Sequence, residues 1–426
     1  MKFALKKKIS NEFIGKVCIW LILLSCFYYP IGASVISFTK VPSTIVNIFI
    51  RSSFTLVSLI LIFLWLISDK KENEKKIKFD LFAIFSFWIV YSIRIIYDTN
   101  NGINMLGYDN FYVYGFAFGS ILIPMISISC WGKNIDLTKI PIIVFWLLLV
   151  SNVCIFLTII HQSESIDSNI FLQRIQVDGI SGSEESLLNS ITLSFYGELL
   201  ALSSIFHLTI YKQLNKFLLI ISLFLGILLL IIGASRGPFL IFIVVSVLLL
   251  IYHFQLRKFN FVFIFKIFLG FFCSILTIFI VIRDKLILDD FYIFQRLFTF
   301  YEERQNGEEN IRDILLKKAF NDFLDSPLIG KQFVSSYDNF YPHNIFVEVL
   351  MALGVVGAVL FGIFLTSIFI KLSVLFFSKN KHAFFIVVIY VPVLLGNLFS
   401  SSLIFSVDFW LLSMLIIKLD RKQLLN

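Results

Sequence analysis

Long apolar runs broken by short polar segments recur along this chain, near residues 13–37, 44–68, 79–97, 111–131, 140–161, 187–210, 217–233, 238–253, 261–282, 344–370, 383–400 and 403–417. A helix that crosses a bilayer needs roughly 20 apolar residues at about 1.5 Å rise each, so the pattern predicts an all-α polytopic membrane protein of about twelve transmembrane helices. Residues 1–426 read as one polytopic membrane domain, interrupted by a long polar loop, 283–343, between the ninth and tenth spans. Within that loop Ile311, Leu315, Ala319 and Phe323 recur every fourth position, beside Leu316, Phe320 and Leu324, while Arg312, Asp313, Lys317, Asn321 and Asp325 take the other side. The spacing predicts an amphipathic helix over 309–325, ended by Ser326-Pro327 and lying on the membrane or over the helix bundle. The aromatic stretch 291–301 is expected to do the same.

Composition agrees with a lipid solvent. A chain of 426 residues that is 58% hydrophobic, with 51 phenylalanines, has more apolar surface than one soluble core hides. The phenylalanines are spread through every run and read as lipid-facing and packing bulk. Cys18, Cys26, Cys130, Cys154 and Cys273 all fall in apolar runs without a CxxC or a nearby His, so no disulfide framework, metal site or cofactor is indicated. The net charge of +8 sits in short clusters between spans, which points to the positive-inside rule and away from nucleic acid. The Lys6-Lys7-Lys8 end, the Lys70–Lys78 loop and the Lys418–Lys422 end fall on the cytoplasmic side, and 283–343 falls outside. The first run contains Pro30 and lacks a small-residue cleavage site, so it reads as an uncleaved span.

Two stretches are short for what they must do. Between Lys216 and Arg257 lie 40 residues with one charge, Arg236. As helix they reach about 60 Å, barely two crossings of a core about 30 Å thick. The turn from Gly233 to Pro238 therefore has little slack, and Arg236 is expected at the external interface or slightly below it. The last pair of runs is shorter still, which places Asp408 within the membrane as a functional suspect, or as a helix cap or locally paired group, the reading preferred here.

Three blocks could carry chemistry, all expected on the external side: Ser235-Arg236-Gly237, Arg312, and Tyr341-Pro342-His343-Asn344. Pro342 suits a first helical turn, which sets His343 near a helix N-terminus, where the positive dipole end keeps imidazole neutral as a general base needs. Singly, an interfacial arginine snorkels to headgroups and a lone His caps a helix. Three cationic or basic positions converging on one membrane face point beyond those single readings.

The blocks stand in a larger order: Ala234-Ser235-Arg236-Gly237-Pro238 ending a span, then Arg312 through Asp325-Ser326-Pro327-Leu328-Ile329-Gly330, then Pro342-His343-Asn344-Ile345-Phe346-Val347-Glu348 followed by Gly354 and Gly357. Over roughly 187–370 this resembles the O-antigen polymerase and O-antigen ligase superfamily of bacterial membrane glycosyltransferases. The resemblance implies an undecaprenyl-diphosphate-linked oligosaccharide donor, and a glycan acceptor that is a lipid-linked repeat unit or lipid A core. It implies a multi-pass protein of the bacterial inner membrane with a periplasmic active face, and allows a chain-length regulator as partner. It assigns Arg236 and Arg312 to the diphosphate and His343 to the acceptor hydroxyl, without metal. Arg174, Arg296, Arg304, Asn344 and Tyr341 become further substrate contacts, and Gly354, Gly357, Ala358 and Gly362 sites of close helix packing. Polymerase is the reading favoured over ligase. A flippase is the competing class, and the chain shows no internal repeat of the kind transporters carry.

Overall fold

A computed structural model describes residues 11–68, 79–132, 135–162, 177–178, 186–256 and 311–419. The expected span 261–282, the stretch 291–301, and Arg174, Arg296 and Arg304 lie outside the described residues. The helices are α1 (Asn11–Phe27), α2 (Tyr29–Thr39), α3 (Ser43–Ile67), α4 (Phe79–Asn100), α5 (Asn110–Trp131), α6 (Ile140–Gln162), α7 (Ser190–Tyr211), α8 (Lys216–Ile232), α9 (Arg236–Leu256), α10 (Ile311–Asp325), α11 (Ile345–Phe377), α12 (Lys381–Ser400) and α13 (Val407–Lys418). One antiparallel pair of short strands, Val177–Asp178 with Ser186–Leu188, lies between α6 and α7. Among the described residues eight helices are long and apolar enough to cross a membrane, and α1 with α2 makes a ninth if the bent pair is one span.

Three expected spans are irregular. The first is two helices bent by 60° at Tyr28, because Pro30 lacks the N–H that a continuous helix would place there. The tenth, α11, breaks at Gly354, whose φ of 60° and ψ of −155° no helix contains. The last is helical only from Val407, after a turn at 401–406. The loop helix falls where its pattern put it, at Ile311–Asp325, and packs against α11. Ala319 and Asp322 form its buried edge, while Ile311, Phe320 and Leu324 remain exposed.

The described chain forms two compact units. The first comprises Met1–Gly32, Thr44–Leu147 and Asn310–Asn426. Its centre is aromatic: Trp88 meets Trp410 at 5.0 Å between ring centroids, Phe87 meets Phe361 at 5.4 Å, and Phe364 stacks on Trp410 at 5.6 Å. Such pairs add about 0.5–1.5 kcal/mol each beyond their burial. Short as it is, α13 lies in the middle of this core, with Phe409 through Lys418 all buried against α1, α5, α11 and α12.

The second unit comprises Ala33–Ser43 and Leu148–Glu309. Its tightest contact is between α7 and α8, where a Cβ on Gly197 would stand 2.6 Å from the Gly226 carbonyl oxygen. Only glycine allows backbones that close, and close backbones are how helices associate where lipid gives no hydrophobic drive. Asn152 Nδ2 donates to the carbonyls of Leu148 (2.7 Å) and Tyr196 (3.0 Å), tying α6 to α7.

Candidate functional site

In the first unit the break in α11 is filled by the loop that follows α10. Val355 N and Val356 N, left without helical acceptors, donate to the carbonyls of Pro327 (2.8 Å) and Leu328 (3.2 Å), and Lys331 N donates to Met351 O (2.9 Å). Gly330 and Gly354 both have positive φ, and a Cβ on either would stand 2.3–2.5 Å from the opposing backbone. Gly354 therefore serves this interlock, which departs from the expectation of helix packing alone, and Gly362 faces open space.

Side chains of α4 secure the same loop. Arg94 donates to the carbonyls of Ile329 (2.7 Å), Gly330 (3.1 Å) and Lys331 (3.1 Å), and Asp98 Oδ2 accepts from Phe333 N (2.7 Å). On the other side Asp322 binds Lys331 (2.9 Å), Ser336 N (2.8 Å) and the Ser336 hydroxyl, and Asp325 adds a second carboxylate to Lys331 (2.8 Å). These two carboxylates, Asp325 first, hold the Lys331 ammonium well above its ordinary value.

The loop so held delivers Tyr341 and His343. His343 has φ 55°, a left-handed conformation that costs a non-glycine residue about 1–3 kcal/mol and persists only when the surroundings impose it. The Tyr341 ring stands 4.5 Å from the imidazole and 5.8 Å from Phe405, and Phe340 is 5.6 Å from the imidazole. His343 Nδ1 is buried and meets no hydrogen-bond partner among the described residues. Burial, then the positive charge of Arg312, lower the imidazole from its ordinary 6.5, against a hydrogen bond with the Ser400 backbone that pulls the other way. Burial pushes the Tyr341 phenol up, and Arg312 opposes that rise. Arg312, Tyr341 and His343 thus share one electrostatic neighbourhood. A neutral imidazole with a vacant ring nitrogen beside a cation can take a proton while the cation holds an anion.

The helix start differs in detail from the sequence expectation. Asn344 is the N-cap of α11, its Oδ1 accepting from Phe346 N (3.0 Å) and Val347 N (3.2 Å), and Pro342 precedes the helix instead of opening it. The neutral state of His343 owes to burial and Arg312. One turn on, Glu348 is fully buried, its Oε1 accepting from Tyr91 (3.0 Å) and Ser402 (2.8 Å) and its Oε2 from Leu403 N (3.0 Å). Non-helical backbone at membrane depth requires such partners, and Glu348 holds the 401–406 turn beside Ser400. No role is assigned to Glu348, Arg94 or Asp98 from the sequence, although Arg94 and Glu348 are charges inside apolar runs, the signal that singles out Asp408, and Asp98 directly follows one. Asp408 is locally engaged: its Oδ1 accepts from Phe409 N at 2.8 Å, with the Asn397 side chain as a further partner.

In the second unit Arg236 is the first residue of α9. The turn before it is packed on the start of α7: Ser235 N donates to Ser194 Oγ (3.3 Å), and a Cβ on Gly233 would stand 2.3 Å from that oxygen. Ala234 has φ 46°, and beyond Arg236 a Cβ on Gly237 would meet nothing. A guanidinium at the positive end of a helix is locally unfavourable, and a nearby anion relieves it.

Comparison with curated proteins and with solved structures gave no match. Residues 221–362 match the family model described as O-antigen ligase, a stretch that contains the Arg236 turn, Arg312, the His343-Asn344 pair and the Gly354 break. Over those residues, in a chain whose described part holds eight helices long and apolar enough to cross a membrane, the sequence is similar to the O-antigen ligase family.

Proposed function

We propose that this protein transfers glycans from an undecaprenyl-diphosphate-linked oligosaccharide, joining repeat units into O-antigen or a related surface polysaccharide on the external face of the inner membrane. The observation that carries it is the joint neighbourhood of Arg312, Tyr341 and a strained, half-buried His343 with a vacant Nδ1. An acceptor hydroxyl oxygen attacks the anomeric carbon, and its proton passes to His343. The bond from that carbon to the diphosphate breaks, and the lipid diphosphate leaves with the electron pair. Arg312 and Arg236 bind its growing charge, since a planar guanidinium matches phosphate oxygens two at a time. The arginines here fill the role a divalent cation has in many soluble glycosyltransferases. Arg174, Arg296 and Arg304 remain proposed glycan or diphosphate contacts.

The family description favours a second reading, in which the acceptor is lipid A core. The surface-polysaccharide gel of a deletion strain separates the two. A polymerase mutant shows core carrying a single repeat unit, and a ligase mutant shows bare core with polymer held on the lipid carrier. Unchanged polysaccharide would remove both. The external placement of the loop is tested by labelling a Tyr337→Cys variant, which reacts with a membrane-impermeant thiol reagent without disruption of the inner membrane.

A further inference from the structure

A second polar cluster in the first unit has no role in the chemistry above. Arg51 lies on α3, eight positions from its start at Ser43, or about 12 Å of helix rise. Among the described residues no carboxylate pairs with it, whereas Arg94 and Lys371 face Asp98 (3.6 Å) and Asp80 (3.7 Å). Its guanidinium lies 3.7 Å over the Phe116 ring and 5.8 Å from that of Tyr28. Its Nη1 donates to Ser120 Oγ at 3.3 Å, and Ser120 in turn reaches the Gly115 carbonyl at 3.3 Å, so the serine orients the arginine and does not neutralise it.

Three buried atoms of the cluster have no hydrogen-bond partner among the described residues: Arg51 Nε, Ser25 Oγ and Tyr28 Oη. With Phe54, Ser120 and Val407 these residues line a cavity of about 10 Å³, on the order of the room one water or one bound oxygen needs. Two backbone irregularities meet there. Ser25 and Tyr28 sit at the bend between α1 and α2, and Phe116 and Ser120 lie on a π-helical stretch, Gly115–Leu122, within α5. Such π stretches recur at functional sites. The cluster continues ring to ring into the candidate site: Phe116 meets Phe405 at 4.8 Å, Phe405 meets Tyr341 at 5.8 Å, and Tyr341 meets His343 at 4.5 Å.

A part-buried cation with no carboxylate partner among the described residues, beside two hydroxyls able to donate, favours an anionic oxygen over a water, which would need acceptors for its own protons. We propose that Arg51, Ser25 and Tyr28, with Ser120 orienting the guanidinium, form a subsite for one phosphate oxygen of the lipid-diphosphate donor. This rests on the glycosyl-transfer reading and adds to it a cation outside the matched stretch 221–362. The cavity admits a single oxygen, so the remainder of the diphosphate stays outside it, toward the aromatic path.

The test is native mass spectrometry of the full chain in nanodiscs with farnesyl diphosphate, farnesyl monophosphate or phosphatidylglycerol. Farnesyl diphosphate affinity is expected to fall tenfold or more in Arg51→Gln, the loss of a charged hydrogen bond, and a few-fold in Tyr28→Phe, with partial recovery in Arg51→Lys. The donor KM rises in the same order. Wild-type affinity in both Arg51→Gln and Tyr28→Phe overturns the subsite and leaves a cavity for water. Dependence on Arg51 for phosphatidylglycerol alone also overturns it, in favour of a bilayer headgroup. If Arg51→Gln does not fold, Tyr28→Phe removes only a hydroxyl and carries the comparison. A wild-type protein that binds the diphosphate through Arg51 yet makes no glycan removes the glycosyl-transfer reading and leaves the subsite. An active enzyme with unchanged donor KM in Arg51→Gln does the reverse.

Discussion

At Gly354 the helix Ile345–Phe377 breaks and a loop moves into the gap: the carbonyls of Pro327 and Leu328 take the two N–H groups that lost their acceptors, and Lys331 N takes Met351 O. At Tyr28 the pair Asn11–Phe27 and Tyr29–Thr39 bends by 60°, and beside that bend Ser25 Oγ, Tyr28 Oη and Arg51 Nε stay buried around a small cavity without partners among the described residues. Both breaks lie in one unit and both interrupt apolar runs. Orphaned polar groups inside a bilayer are costly, so a filled break reads as scaffold and an unfilled one as a place where something else must bind.

The largest effects are expected at the filled break. Gly354→Ala or Gly330→Ala drives a methyl into backbone less than 3 Å away at a positive φ, which should cost about 3 kcal/mol or more. Fluorescence-detected size exclusion and melting in detergent would show loss of the folded species, and an unchanged melting curve would break the comparison. Next comes His343→Ala, expected to slow glycan transfer by about 10²–10⁴ with melting unchanged. Because burial and Arg312 lower the imidazole, the neutral base survives below pH 6.5, and rate should fall only as pH drops through that depressed value. His343→Asn at wild-type turnover would remove the histidine from the chemistry, since the helix already has its cap in Asn344.

Smaller effects sharpen the contrast. Glu348→Ala strands Tyr91, Ser402 and Leu403 N and should cost about 2–3 kcal/mol in melting, whereas Glu348→Gln, still able to accept, should cost about half that. Equal losses in the two variants would show that the charge of Glu348, and not its lone pairs, holds the 401–406 turn. Smallest is Gly362→Ala, where a methyl meets nothing within 4 Å, and melting should change by about 0.5 kcal/mol or less. A large loss there would return this glycine to the helix-packing class.

Helix positions were legible in the sequence because length and apolar character alone mark a bilayer crossing, and the loop helix because its period is 3.6. The break at Gly354 was not, since Met351 to Gly357 is one apolar run and what breaks it is a pair of carbonyls from residues 327 and 328. The bend at Tyr28 did leave a signal, Pro30, which was read only against cleavage. Arg312, Tyr341 and His343 are candidates by motif order, and in the structure the charge of Arg312 acts on both Tyr341 and His343. Arg51 is a lone charge inside a 25-residue apolar helix, and no motif or turn in the sequence marks it. What that charge lacks can be seen only once Ser25, Ser120 and Phe116 are folded around it.

The short helix Val407–Lys418 has a consequence for how the protein is made. At 12 residues it rises about 18 Å, too little to enter a bilayer about 30 Å thick as an independent hydrophobic segment. Yet helices synthesised far earlier, Asn11–Phe27 among them, close around it, and Trp88 and Phe361 rest on Trp410. The first unit therefore cannot finish its core during early translation. Its older helices must wait loosely associated in the membrane for a latecomer that only their own assembled surface can draw in. Ribosomes that stop before residue 407 would leave a ring of inserted helices around an unfilled centre, a natural substrate for membrane quality control.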